Sequence, residues 1–193
     1  MIEPGELGQT LAAIAAALDG VSARWAIGGS LASAAYGEPR ATNDVDIVAQ
    51  LDERSAVGLL HLLGDRFYGD AETAREAARS CGSFNVIDNE SFIKIDVFIP
   101  AAGPMGAGQL DRRRELVLFP GMRALPILGP EDTVLQKIRW FRLGGEVSDR
   151  QWRDIVAILR LSGPRLDRAY LDSVAHGAGL GSLLARATAD AFR

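Results

Sequence analysis

The chain has 193 residues, 48% of them hydrophobic and 24% charged, enough for one sizeable core with a helical extension or for two small domains. No apolar run reaches the length of a membrane span, Glu3 and Glu6 stand where a signal peptide would be basic, and the single cysteine, Cys81, excludes an internal disulfide and a cysteine zinc site. A cytoplasmic protein with no membrane partner is the expectation. The net charge of −4 divides unevenly: residues 1–111 hold 7 basic and 16 acidic side chains, giving −9, whereas residues 112–193 hold 14 and 9, giving +5. An acidic half joined to a basic half suits a polyphosphate ligand, and would also suit RNA.

Leu7, Leu11, Ile14 and Leu18 recur at helical spacing before Gly20, predicting an amphipathic opening helix with a glycine cap. Trp25-Ala26-Ile27 reads as a short strand, and Gly28-Gly29 as a turn where backbone N–H groups approach a ligand with no Cβ in the way. A helix then starts at Ser30, whose hydroxyl adds a donor to the anion-favouring N-terminus. After Arg40-Ala41-Thr42-Asn43 comes a second strand, Asp44-Val45-Asp46-Ile47-Val48. Its two aspartates share one face, and Val45 and Ile47 take the other. Two ionised carboxylates side by side repel unless a divalent cation lies between them, and oxygen donors of this kind suit Mg²⁺ or Mn²⁺.

Asp52 is placed to cap a helix reaching Leu63, residues 70–79 suit a short exposed helix, and Asp88-Asn89-Glu90 reads as a turn between strands at 83–87 and 92–99. In the second of these strands Ile93, Ile95, Val97 and Ile99 form one apolar face, which puts Lys94 and Asp96 on the other. An acidic residue in so strongly β-forming a run is costly unless solvated, paired or metal-bound. Residues 100–108, rich in Gly, Ala and Pro, suit a flexible loop, and 115–119 with 123–128 suit a second hairpin at the sheet edge. Arg112-Arg113-Arg114 either steers phosphates or protects that exposed strand flank with charge.

Gly129-Pro130-Glu131-Asp132 starts a helix, so the boundary between a core at 1–128 and a C-terminal helical region at 129–193 is drawn here. This helix carries Lys137, the only lysine besides Lys94, and Gly144-Gly145 ends it. Ser148-x-x-Gln151 reads as a capping box opening the next helix, whose apolar stripe is Trp152, Ile155, Val156 and Leu159, with Asp154 beside it. Residues 166–175 and 180–192 suit two further helices, while His61 and His176 have no partner motif.

Gly28-Gly29-Ser30, Asp44-x-Asp46 and a lone Asp96 in a hydrophobic strand together resemble the active-site signature of the DNA polymerase beta-like nucleotidyltransferase superfamily. That resemblance, covering residues 25–96 with weaker agreement in the helical tail, implies an α+β (α/β) fold: a mixed central sheet flanked by helices. It implies that Asp44 and Asp46 coordinate two Mg²⁺ or Mn²⁺ ions and that Asp96 binds the catalytic one. Gly28, Gly29 and Ser30 would hold the phosphates of an NTP, with Arg40, Lys137 and Asp154 as further nucleotide-binding candidates. The long Ser-to-Asp interval and Arg40-x-Thr42-x-Asp44-x-Asp46 resemble the bacterial stand-alone group that includes abortive-infection toxins, which implies a tRNA or protein acceptor and a possible antitoxin partner. Small antibiotic nucleotidyltransferases share the two-glycine opening, so an antibiotic acceptor is the alternative. A catalytically silent binding module is the third reading. The chain departs from compact antitoxin-type members in its longer interval, and from tRNA-end-repair enzymes in lacking Arg-Asp at residues 31–34.

Overall fold

The computed structural model describes residues 4–39, 42 and 44–193; Arg40 therefore lies outside the described residues. Strands β1 (Arg24–Ile27), β2 (Asp44–Gln50), β3 (Phe67–Gly69), β4 (Ser83–Asp88), β5 (Lys94–Phe98), β6 (Arg114–Leu116) and β7 (Leu125–Ile127) form one sheet in the order β3-β4-β5-β2-β1-β7-β6. The sheet is mixed. β2 runs parallel to β5 and β1 parallel to β7, while the other neighbours are antiparallel.

Helices α1 (Pro4–Gly20), α2 (Gly29–Tyr36), α3 (Glu53–Leu63) and α4 (Ala71–Ser80) belong to this half. Side-chain alternation divides its sheet into two faces. Trp25 and Ile27, Val45 and Ile47, and Ile95 and Val97 point to one side, where they pack with Leu11, Ile14 and Leu18 of α1 and with Leu59 and Ala74 of α3 and α4. Each buried aliphatic side chain there contributes about 1.5–3 kcal/mol. Residues of opposite parity, Ala26, Val48 and Phe98, meet Leu110 and Leu128 on the other side, the face that carries Asp46 and Asp96.

The C-terminal helices α5 (Pro130–Leu143), α6 (Asp149–Ser162), α7 (Arg168–Gly177) and α8 (Gly181–Ala191) bury a separate apolar cluster around Ile138, Phe141, Ile155, Ile158, Leu171 and Leu184. No helix among the described residues is long and apolar enough to cross a membrane.

Asp52 caps α3 as expected, while several other local expectations need correction. The box at α3 is complete, the Asp52 carboxylate accepting from the Ser55 N–H at 2.7 Å and the Ser55 hydroxyl from the Asp52 N–H at 2.9 Å. The one predicted for α6 is half made: Ser148 Oγ accepts from the Gln151 N–H at 3.3 Å, but Gln151 Oε1 is buried with no hydrogen-bond partner among the described residues. β3 was not foreseen, because a three-residue strand leaves no measurable alternation, and residues 107–112 form a 3₁₀ helix inside and beyond the stretch read as a loop. Asp88, read as the first residue of the turn, closes β4 and is fully buried. Burial works to raise its pKa, but bonds from Arg66 (2.6 and 3.1 Å), Thr10 Oγ1 (2.6 Å) and the Glu90 N–H (3.1 Å) win and hold it well below the usual carboxylate range.

The arginine run is also reassigned. Arg112 Nη2 lies 3.8 Å from Glu131 Oε2, Arg112 Nε lies 3.8 Å from Asp132 Oδ2, and Arg114 Nη2 lies 3.7 Å from Glu131 Oε2. The Arg112 guanidinium covers the Tyr170 ring at 3.9 Å, and Arg113 donates to the Leu110 carbonyl. Glu131 and Asp132 are buried at the start of α5, so these arginines neutralise carboxylates inside the protein and fasten the edge strand to the helical half.

Candidate active site

The Gly28-Gly29-Ser30 turn joins β1 to α2 at a point fixed by the neighbouring strand. Gly28 N–H donates to the Asp46 carbonyl at 2.8 Å, which brings the turn over β2. Gly29 has φ +53°, and a Cβ built there would lie 1.7 Å from Asp46 Oδ2. Only glycine leaves room for the carboxylate, and the left-handed backbone also suits no other residue well. The next N–H, that of Ser30, donates to the Asp46 carboxylate. The helix N-terminus and the Asp46 carboxylate are thus one unit.

Register sets the rest. Asp46 pairs directly with Asp96 across the parallel β2–β5 ladder, and Asp44 pairs with Lys94. Burial pushes the Asp46 carboxyl up, and the charges of Asp96 and Asp44 push it the same way; the Lys137 ammonium and the Ser30 N–H pull it down. Lys94 Nζ holds both oxygens of Asp96, at 2.9 and 3.0 Å, and keeps 45% of its side chain exposed. Asp44 is exposed at the first position of β2, its backbone tied to the Thr42 hydroxyl. Lys137 and Asp154, predicted separately on two helices, meet at 2.8 Å with 10% of each side chain exposed.

These residues border one cleft of about 1010 Å³ between the sheet and the C-terminal helices. Gly28, Gly29, Ser30, Asp44, Asp46, Asp96 and Lys137 all line it; Asp154 stands behind Lys137. Asp96 faces this cleft and not the apolar core. No group of three His, Cys, Asp or Glu side chains among the described residues is gathered closely enough to hold a metal ion by itself. The donor chemistry nevertheless fits a hard divalent cation: two carboxylates abut at paired strand positions, and Asp46 carries a repulsion from Asp96 that such a cation would relieve. Asp44 shares their face of the sheet.

Sequence reading missed part of the lining. Gln136, Arg139 and Trp140 of α5, Gln109 of the 3₁₀ segment and Arg150 of α6 border the same cleft. Trp140 could have been found as the residue one turn beyond Lys137 on its helix; Gln109 could not, since its position depends on a loop with no periodic signal.

Neither a family model nor a curated protein sequence matches this chain. Solved structures do match. The solution structure of the antibiotic-resistance factor ANT(2'')-Ia is 16% identical with a TM-score of 0.60, covering 95% of this chain and 98% of that one. An antigenic nucleotidyltransferase-like protein from Paracoccidioides brasiliensis is 20% identical with a TM-score of 0.58, covering 98% and 94%. A crystal structure of ANT(2'')-Ia with adenylyl-2''-tobramycin is 12% identical with a TM-score of 0.54, covering 95% and 97%. At these identities the likeness is one of architecture, and the chain has the nucleotidyltransferase fold, a mixed seven-stranded sheet flanked by helices.

Proposed function

We propose that this protein transfers a nucleoside monophosphate from an NTP to an acceptor in a reaction dependent on Mg²⁺ or Mn²⁺. The observation that carries this reading is the unit at the head of the cleft: a left-handed glycine that leaves no room for a Cβ against the carboxylate of Asp46, directly beside Asp96. A bound divalent cation would supply charge neutralisation at the transferring phosphoryl group, with Asp46, Asp96 and Asp44 as its ligands. The turn at Gly28 and Gly29 lets the outgoing phosphates approach the backbone with no Cβ in the way, and the positive end of α2 attracts them. Lys137, held at one end by Asp154, adds a positive charge within reach of Asp46. Asp96 is positioned to accept the proton of an incoming hydroxyl once Lys94 yields to the reacting groups.

A small cationic acceptor suits the site best. The arginine run that might have guided RNA is spent on buried Glu131 and Asp132, and the ANT(2'')-Ia complex holds an adenylylated antibiotic in the same fold over nearly the same length. The toxin-like reading, with a tRNA or protein acceptor and an antitoxin partner, is second. Its support is the presence of Lys137 and of Asp154 on the following helix, a lysine and an aspartate such as the resemblance to that group carries, here joined to each other beside the cleft. The division at residues 128 and 129 fits the two separate apolar clusters on either side of the cleft.

The test is incubation with each α-labelled NTP and Mg²⁺ or Mn²⁺, alongside aminoglycosides, a lincosamide and total tRNA, with Asp46→Asn as control. Label transferred to an antibiotic and lost in the variant supports the first reading, and label on tRNA the second. No transfer combined with NTP binding indifferent to Asp46→Asn would leave the silent binding module.

A further inference from the structure

From the paired carboxylates the cleft runs in two directions along β2 and β5. Toward Asp44 and Lys94 it is charged and open, both side chains being well exposed. In the other direction, two residues or about 7 Å along each strand, its floor becomes Val48 and Phe98, with Leu128 beside them. A nucleobase needs apolar contact on its faces and a few fixed polar atoms at its edge. The second direction offers that, and the first suits a polar acceptor. Trp140, whose ring lies 6.1 Å from that of Phe98 at 57°, keeps 50% of its surface exposed on this wall and has a face available for stacking.

The edge chemistry is set by a chain of amides. Gln136 Nε2 donates to the Met105 carbonyl at 2.8 Å and to Gln109 Oε1 at 3.2 Å. Gln109 Nε2 in turn donates to the carbonyls of Gly106 at 2.8 Å and Met105 at 3.4 Å. The backbone carbonyls at the end of this chain can only accept, so neither amide can be turned around without losing its bonds. With both N–H groups committed, Gln136 has only its carbonyl oxygen left for a ligand. Thr133, one turn earlier, gives its hydroxyl hydrogen to the Gly129 carbonyl at 2.8 Å, so it too is left with lone pairs.

We propose that Gln136 selects the nucleobase, accepting from the exocyclic amino group of adenine or cytosine and opposing guanine and uracil, which present a carbonyl at the equivalent edge. The inference rests on the nucleotide-donor reading above. A buried acceptor facing another acceptor is left unpaired, which costs about tenfold to a hundredfold in affinity.

The experiment is calorimetric titration of the full chain, in Mg²⁺, with the α,β-methylene analogues of ATP, CTP, GTP and UTP, repeated on Gln136→Met. The expected result is that the ATP and CTP analogues bind at least about tenfold more tightly than the other two. The variant should lose that margin, with the ATP and CTP analogues binding more weakly and the GTP and UTP analogues binding as tightly as before or more tightly. Equal affinity for all four in the unaltered protein, or a preference that survives in Gln136→Met, overturns base selection by Gln136 and leaves the donor reading standing. Failure of every analogue to bind overturns both. The comparison within the unaltered protein does not depend on the variant folding.

Discussion

Gly29→Ala puts the fit between the glycine turn and Asp46 to a quantitative test. The added Cβ would lie 1.7 Å from Asp46 Oδ2, 2.5 Å from Cγ and 2.8 Å from Cβ, where real contacts essentially never fall below 3.0 Å. The carboxylate must therefore withdraw by more than about 1 Å, giving up its bond from the Ser30 N–H. Alanine held at φ +53° costs roughly a further 1–2 kcal/mol. In a chain of this length that strain lowers Tm by about 2–8 °C. In the proposed reaction, displacing the Asp46 carboxylate by about 1 Å is expected to lower turnover on the order of a hundredfold. Gly28→Ala is the control, since its Cβ meets only the Leu128 side chain tip at 3.3 Å, with other contacts at 3.9 Å or more. Thermal melts, Mn²⁺ titration and labelled-NTP transfer would be measured on both. Unchanged metal binding and turnover within about threefold in Gly29→Ala, or equal damage from Gly28→Ala, would refute the coupling of turn and carboxylate.

The buried Asp88 makes a pH prediction. Its pKa is depressed in the folded state, so its stabilisation is fully present above the unfolded value of about 3.9 and is lost as pH falls below that toward the folded value. Asp88→Asn should flatten the acid limb of a stability–pH curve measured by urea denaturation and cost about 3 kcal/mol at pH 7 by leaving Arg66 without its buried partner; an unchanged acid limb would count against this account. Replacing Arg112 and Arg114 together with alanine should cost about 2–4 kcal/mol, because buried Glu131 and Asp132 lose their cationic neighbours and keep only the Asp167 N–H and the Tyr170 hydroxyl as donors. It should leave the salt dependence of any tRNA binding unchanged, and a flattened salt slope with unaltered stability would return the run to a nucleic-acid role.

The strand, turn and helix alphabet around the site was legible because it rests on local rules. Alternation in residues 44–48 and 93–99 assigned Asp46 and Asp96 to the faces they occupy, glycine marked the left-handed turn, and Asp52 marked its helix start. Which strands become neighbours is a different matter. Residues 44–48 and 94–98 are far apart in the chain, and only the parallel β2–β5 ladder sets Asp46 against Asp96 in register. The same holds for the bond between Lys137 and Asp154, which requires α5 and α6 to pack side by side. Charge pattern misled at Arg112 and Arg114, since a basic run reads alike whether it faces solvent or buried carboxylates 17 to 20 residues further on. Gln109 and Gln136 gave no signal at all. An amide acquires direction only when fixed carbonyls surround it, and those come from the folded loop at residues 103–106 and the wall of α5. Local sequence thus determined which face of its strand each aspartate takes; long-range packing decided which side chains meet, and with what charge beside them.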